Sequence, residues 1–142
     1  MVQIEQKKTF YLILKLFMGM TQEDKQLLIK DLCMRLPYGV KVQVTQVPIG
    51  LSKDETLTFN RMYSLEESDK YITVKPYLRP IKSMTIEEFA QYSYMVEKDK
   101  TNFGSPLTTD WLLYHHFDYR DLIPKGLAIE APEGIYRLEE QQ

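Results

Sequence analysis

Residues 115–126, HHFDYRDLIPKG, bring together the residue types that most often transfer protons or bind metal ions. They include both histidines of the chain, followed by Asp118, Arg120 and Asp121. Neighbouring side chains on a helix point about 100° apart, whereas two zinc ligands on one helix are typically four residues apart, as in H-E-x-x-H. The spacing therefore favours structural roles for these residues over a metal site or a catalytic acid–base pair.

The element expected around this stretch is a helix over residues 107–122, with an interruption near His116. Asp118 is predicted to cap a short helical turn by accepting a backbone amide two or three residues further on. The histidines would then lie at a helix C-terminus, where positive charge is favoured. If the chain were an enzyme, His115, His116 and Asp118 would be its candidate catalytic residues.

Composition limits the classes of protein that fit. The 142 residues carry a net charge of −2, with 44% hydrophobic and 27% charged residues, which suits one domain with its own core. The single Cys33 excludes an internal disulfide and is typical of a reducing compartment, so we expect a cytoplasmic protein. We find no phosphate-binding loop, dinucleotide-binding glycine motif or CxxC pair, and we therefore expect neither cofactor nor metal.

Two regions are expected along the chain. Residues 1–19 are predicted to be an N-terminal extension or an extra strand, and residues 20–142 a single α+β domain. The apolar run of residues 10–18 is too short to span a bilayer and is interrupted by Lys15. We therefore expect no membrane partner. Met20 directly precedes a helix start and is an alternative first residue.

Two helices are predicted in addition to residues 107–122. Thr21 is expected to cap a helix over residues 21–36, and Thr85 with Glu88 forms a capping box for a helix over residues 85–97. In the first helix, the apolar stripe predicts burial of Leu28, Ile29, Leu32, Cys33 and Leu36, with Asp31 and Arg35 outside. In the second helix, the inner face is predicted to contain Ile86, Phe89, Ala90, Ser93 and either Val96 or Glu97.

Three strands are predicted between these helices. Valines alternate with polar residues over residues 40–47, which indicates a strand with one buried face. A second strand is expected within residues 55–63, with Leu57 and Phe59 inward, and a third within residues 70–77. The short connections favour an antiparallel meander. The predicted fold class is therefore α+β, with a small antiparallel sheet of three or four strands packed on one face against about three helices.

Residues 70–82 form the one local concentration of positive charge. Lys75, Arg79 and Lys82 are interleaved with tyrosines, including Tyr77, and no acidic residue interrupts them. Positive charge beside aromatic rings is typical of surfaces that bind single-stranded nucleic acid. The structural alternative is a strand and exit loop whose basic side chains lie over the core. Both interpretations stay open, with Lys75, Tyr77, Arg79 and Lys82 as the candidate binding residues.

Three blocks of the sequence, LIKDLCMRLPYGVKVQV, VKPYLRPIKSMTIEE and FDYRDLIPKGLAIEAPEGIY, resemble short uncharacterised proteins of gut Bacteroidales genomes. Those proteins often lie among prophage and mobile-element genes, and the likeness covers most of residues 20–136. They commonly begin at MTQEDK and often carry glycine at the position of Asp121 and an acid at that of Pro124. The resemblance implies an accessory gene and brings no catalytic residue with it.

Together these observations favour a non-enzymatic accessory protein of phage or mobile-element origin that binds another protein. A host or defence protein is the partner that such an origin implies. A nucleic-acid-binding accessory factor using residues 70–82 is the first alternative. A small enzyme with a site near His116 is the second.

We expect residues 1–19 to be dispensable for stability, because a complete helix start follows them at Thr21. A protein beginning at Met20 should melt within about 10 °C of the full chain. A change of ~1–2 kcal/mol in the free energy of unfolding shifts the melting temperature of a domain of this size by no more than about that amount. Thermal melts followed by circular dichroism make the comparison. A larger drop would show that the segment is a strand of the core.

Overall fold

The computed structural model of the protein describes residues 21–47, 49–67, 72–98 and 106–136. These residues form four α-helices and a four-stranded open sheet, which confirms the predicted α+β class. Residues 1–19 lie outside the described part of the chain. The helices are α1 (Gln22–Arg35), α2 (Phe59–Glu67), α3 (Ile86–Lys98) and α4 (Pro106–Tyr114), and the strands are β1 (Lys41–Gln46), β2 (Ser52–Thr56), β3 (Ile72–Leu78) and β4 (Ile129–Glu130).

The sheet has the order β2-β1-β3-β4. β1 pairs antiparallel with both β2 and β3, whereas β4 pairs parallel with β3. The predicted antiparallel meander is therefore wrong, because β1 lies between the two strands that follow it and the last strand is parallel. The sheet is mixed, and α2 makes the crossover from β2 to β3.

The second strand spans Ser52–Thr56, so it begins before the predicted range of residues 55–63 and ends near the start of that range. The hydroxyl of Thr58 accepts a hydrogen bond of 3.2 Å from the backbone amide of Arg61, as a helix N-cap does. Met62 and Leu65 are then buried at helical spacing, while Phe59 is exposed. The predicted inward position of Phe59 is therefore wrong, because the chain has already changed from strand to helix there.

The hydrophobic core lies on one face of the sheet. The alternation predicted for residues 40–47 is confirmed, because Val42 and Val44 are buried while Lys41, Gln43 and Thr45 are only partly buried. Helices α1 and α2 supply apolar side chains to the same core. Its members include Leu28, Leu32, Val42, Val44, Met62, Leu65, Val74, Leu78, Leu122 and Leu127.

A tyrosine hydroxyl completes the pairing between β1 and β3. Their last paired residues at this end are Val42 and Pro76. One position further on, the hydroxyl of Tyr136 accepts a hydrogen bond from the amide of Lys41 at 3.0 Å and donates one to the carbonyl of Tyr77 at 2.7 Å. The hydroxyl therefore bridges the two strands at the point where they separate.

The inner face of α1 contains a charged pair. Thr21 caps the helix as predicted, since its hydroxyl accepts the amide of Asp24 at 3.1 Å. However, the buried residues of α1 are Leu28, Asp31, Leu32 and Arg35, and Cys33 is exposed. The predicted burial of Cys33 and the predicted exposure of Asp31 and Arg35 are therefore wrong. The pair can be buried because its two charges lie four residues apart and compensate each other.

Arg35 joins α1 to the chain after α4. Its Nε donates to Asp31 Oδ2 at 2.6 Å, and its Nη2 donates to the carbonyl of Phe117 at 2.8 Å. Arg120 approaches the other oxygen of the same carboxylate, with Nε 3.3 Å from Asp31 Oδ1. One buried carboxylate therefore accepts a hydrogen bond from Arg35 and lies within ion-pair distance of Arg120, and these contacts place residues 117–120 against α1.

The predicted helix over residues 107–122 is wrong beyond Tyr114. The backbone reverses at His116, where φ is +64°, and residues 118–126 form turns instead of a second helix. Phe117 then forms a parallel bridge with Arg79, because the amide of Arg79 donates to the carbonyl of His116 and the amide of Asp118 to the carbonyl of Arg79, both at 2.8 Å. Because Phe117 pairs with the chain at the end of β3, the helix cannot continue through this residue.

Replacing the carboxylate of the buried pair tests its importance. Asp31→Ala would leave the guanidinium of Arg35 buried without its counter-charge, which typically costs about 3–5 kcal/mol. Denaturant unfolding of the wild-type protein and the variant measures the loss. The double variant Asp31→Leu with Arg35→Met removes both charges and should be the more stable of the two variants. A loss below about 1 kcal/mol for Asp31→Ala would contradict a structural role for the pair.

Candidate functional site

The two histidines have different surroundings. The ring of His116 is buried and stacks on Tyr136, with centroids 3.7 Å apart and planes 12° apart. Burial, followed by the positive charge of Arg35, lowers the pKa of His116 to about 3, so this imidazole is neutral near pH 7. His115 instead lies against Trp111, with ring centroids 4.3 Å apart, and its Nδ1 is 3.5 Å from the carboxylate of Glu88.

Asp118 accepts backbone hydrogen bonds, as predicted, although from other residues than expected. Its Oδ1 accepts the amide of Leu122 at 2.8 Å and its Oδ2 the amide of Ile123 at 2.9 Å. The prediction assumed a helix and therefore expected donors two or three residues after Asp118. In the observed turns, the donors are instead the amides four and five residues after it. Among the residues that the structure describes, no three histidine, cysteine or acidic side chains are grouped as metal ligands would be.

Arg79, one of the predicted binding residues, is committed to internal contacts. Its guanidinium forms a two-point contact with the carboxylate of Glu88, at 2.8 and 2.6 Å, and lies 4.3 Å from the ring centroid of Phe117. Burial alone would raise the pKa of the Glu88 carboxyl, but hydrogen bonds from Arg79 and Thr85 outweigh it and lower that pKa. Arg79 therefore anchors the first turn of α3.

The other predicted binding residues are placed apart from this contact. Tyr77 is buried, and its hydroxyl donates to Asp54 Oδ1 at 2.6 Å and accepts from Gln43 Nε2 at 3.3 Å. Lys75 is partly buried on β3, and Lys82 is exposed in the turn Ile81–Ser83. The structure therefore does not present the tyrosine ring and the three basic groups as one exposed basic surface. Nucleic-acid binding by these residues stays a prediction.

The exposed surface that sequence reasoning missed lies on α3. Its capping box forms as predicted, with the amide of Glu88 donating to the Thr85 hydroxyl at 3.1 Å and the Thr85 amide to Glu88 Oε1 at 3.0 Å. None of the residues of α3 is buried, and the predicted inner face points outward instead. Ile86, Phe89 and Val96 have 91%, 62% and 40% of their surface exposed. We name this surface, Ile86, Phe89, Ala90, Ser93 and Val96, the α3 stripe.

The opposite side of α3 explains this orientation. Glu88, Tyr92 and Met95 are its partly buried residues. Glu88 binds Arg79, and the ring of Tyr92 lies 5.7 Å from that of Trp111 on α4. A two-point ion pair and aromatic contacts therefore attach the helix to the domain, and its more apolar side is left at the surface.

Signals for these features were present but ambiguous. Asp31 and Arg35 share the helical spacing of Leu28 and Leu32, so they could have been placed on the same face. Glu88 belongs to a capping box, which explains an acid at that position without any contact to Arg79. The missing information was the contact that each helix makes outside itself, from Arg35 to the carbonyl of Phe117 and from Glu88 to Arg79.

No protein-family model matches the chain, and no curated protein or solved structure matches it significantly. None of the described helices combines the length and the apolar character needed to cross a bilayer.

Substitution of Asp118 separates a structural carboxylate from a reactive one. Asp118→Ala would leave two backbone amides without their acceptor, and the expected loss is about 2–4 kcal/mol, at ~1–2 kcal/mol for each lost hydrogen bond. Asp118→Asn keeps one acceptor oxygen and should restore about half of that loss, as measured by chemical denaturation. Asp118→Ser has a shorter side chain and should restore less. Equal losses for alanine and asparagine would contradict this account.

Proposed function

We propose that this chain is a non-enzymatic accessory protein that binds another protein through the α3 stripe. The single observation that carries the proposal is the exposure of the apolar side of a helix whose other side is firmly attached. The phage or mobile-element origin comes from the resemblance of the sequence and belongs to the same proposal. A host or defence protein as target stays a prediction from that origin.

The physical support is the cost of leaving such a surface in water. Soluble monomers rarely expose large contiguous apolar patches, and patches of this kind commonly mark interaction sites. Ile86 and Phe89 are one turn apart on the same side of α3 and are both more exposed than buried. A rigid apolar ridge also binds with less loss of conformational freedom than a mobile loop does.

The proposal also accounts for the residues that could have formed an active site. His116 is buried against Tyr136, and Asp118 binds two backbone amides. These contacts give both residues a structural role. A cytoplasmic location belongs to the proposal as well, because Cys33 is an exposed free thiol of a kind that suits a reducing compartment.

Affinity capture with two matched variants tests the proposal. The stripe variant carries Ile86→Glu and Phe89→Glu. The control variant carries Ile49→Glu and Leu51→Glu at exposed positions, 71% and 64% accessible, outside α3. Tagged proteins are incubated with lysate of cells that also make the untagged chain. Proteins bound specifically by the wild type should be lost by the stripe variant and kept by the control, because only the stripe variant buries charge in the interface.

Thermal melts of both variants provide the folding control, since surface substitutions usually change stability by less than ~0.5 kcal/mol. Binding that survives in the stripe variant would place the interface elsewhere. Equal loss in both variants would show that general stickiness, and not the α3 stripe, explains the capture.

A further inference from the structure

We infer that the α3 stripe binds a second copy of this chain, with the two α3 helices packed antiparallel about a two-fold axis. This inference rests on the proposed function and names the partner of the same surface.

The spacing of the stripe is that of a short helix pair. Ile86, Phe89, Ser93 and Val96 follow one another at intervals of three, four and three residues. This is the repeat that keeps one seam of a helix facing a partner helix and produces layered side-chain packing. The 13 residues of α3 give a helix of about 20 Å, enough for four such layers.

The sizes of the side chains select the antiparallel direction. In an antiparallel pair, Ile86 lies opposite Val96 of the partner subunit and Phe89 opposite Ser93 of the partner subunit. Each layer then combines a larger side chain with a smaller one, and the two halves of the interface are identical by symmetry. In a parallel pair, Phe89 would meet its own copy and Ser93 would meet its own copy. That arrangement would produce one overfilled layer and one underfilled layer, and both are unfavourable.

The charges at the ends of the helix favour the same direction. Glu97 lies on the exposed side of α3 at its C-terminal end, and Lys82 is exposed just before its N-terminal end. Antiparallel packing brings Lys98, in the last turn of α3, towards Glu87 of the partner subunit, in the first turn of its α3, and it places Glu97 near the positive end of that helix dipole. Parallel packing would bring Glu97 of both copies together.

The area of the stripe indicates a reversible dimer. Packing one 20 Å helix against its copy would bury on the order of 1,000 Å² in total, the low end for specific protein interfaces. We expect a dissociation constant on the order of micromolar, because small interfaces with few anchors seldom bind more tightly.

Sedimentation velocity of the full chain from about 1 to 500 µM, a range that brackets the expected micromolar dissociation constant, tests the inference. The wild type and the Ile49→Glu, Leu51→Glu control should pass from monomer to dimer as concentration rises. The Ile86→Glu, Phe89→Glu variant should bind at least about 100-fold more weakly, because both copies place charge in the apolar layers. A wild type that stays monomeric throughout, or a dimer that the stripe variant does not weaken, would overturn the inference.

Cysteine pairing tests the direction. In a Cys33→Ser background, Ile86→Cys and Val96→Cys proteins are distinguished by tags of different size, mixed and oxidised. Antiparallel packing predicts disulfides between position 86 of one protein and position 96 of the other, because only these lie within bonding distance. Predominant 86–86 and 96–96 disulfides would contradict the two-fold antiparallel arrangement.

The oligomeric state and the capture result together separate this inference from the proposed function. If the wild type is monomeric but captures a different protein through an intact stripe, the proposed function stands and the second copy is not the partner. If the chain beginning at Met20 forms dimers and the full chain does not, residues 1–19 occupy the stripe, and the inference fails for the full chain. Absence of both dimer and stripe-dependent capture removes both proposals.

Discussion

The buried contact between Asp31 and Arg35 is the constraint on which the arrangement of the other elements depends. It lies on the inner face of α1, and Arg35 extends from it to the carbonyl of Phe117, 82 residues further along the chain. A buried ion pair adds little net stability compared with apolar side chains of similar size. We interpret its contribution as directional, because Arg35 reaches the carbonyl of Phe117 only when α1 and residues 117–120 adopt one relative position.

A second ion pair, between Arg79 and Glu88 of α3, also contacts Phe117. Phe117 is completely buried, its carbonyl is bound by Arg35, and its ring is covered by Arg79, which Glu88 of α3 holds. Charged contacts therefore decide how both α1 and α3 are rotated about their own axes. On α1 this rotation exposes Cys33, and on α3 it exposes an apolar surface.

Local features of the fold could be predicted from the sequence, and long-range ones could not. The strand at residues 40–47, the cap at Thr21 and the capping box of Thr85 with Glu88 depend on neighbouring residues, and all three form. The inward faces of α1 and α3 were predicted from hydrophobic periodicity, which assumes that charged residues lie outside. That assumption fails where another side chain compensates the charge, as Arg35 does for Asp31 within α1 and Arg79 does for Glu88 of α3. The end of β2 was missed because Thr58 suits both a strand and a helix cap.

The position of Tyr136 has a consequence for the order in which the protein can fold during its synthesis. The hydroxyl bridging β1 and β3 comes from a residue 95 positions after Lys41 and 59 positions after Tyr77. When both strands have left the ribosome, the residue that joins their ends has still to be translated. The sheet therefore cannot complete these hydrogen bonds until Tyr136 has been translated. Until Tyr136 emerges, the nascent chain lacks the hydroxyl that bridges β1 and β3 at this end of the sheet.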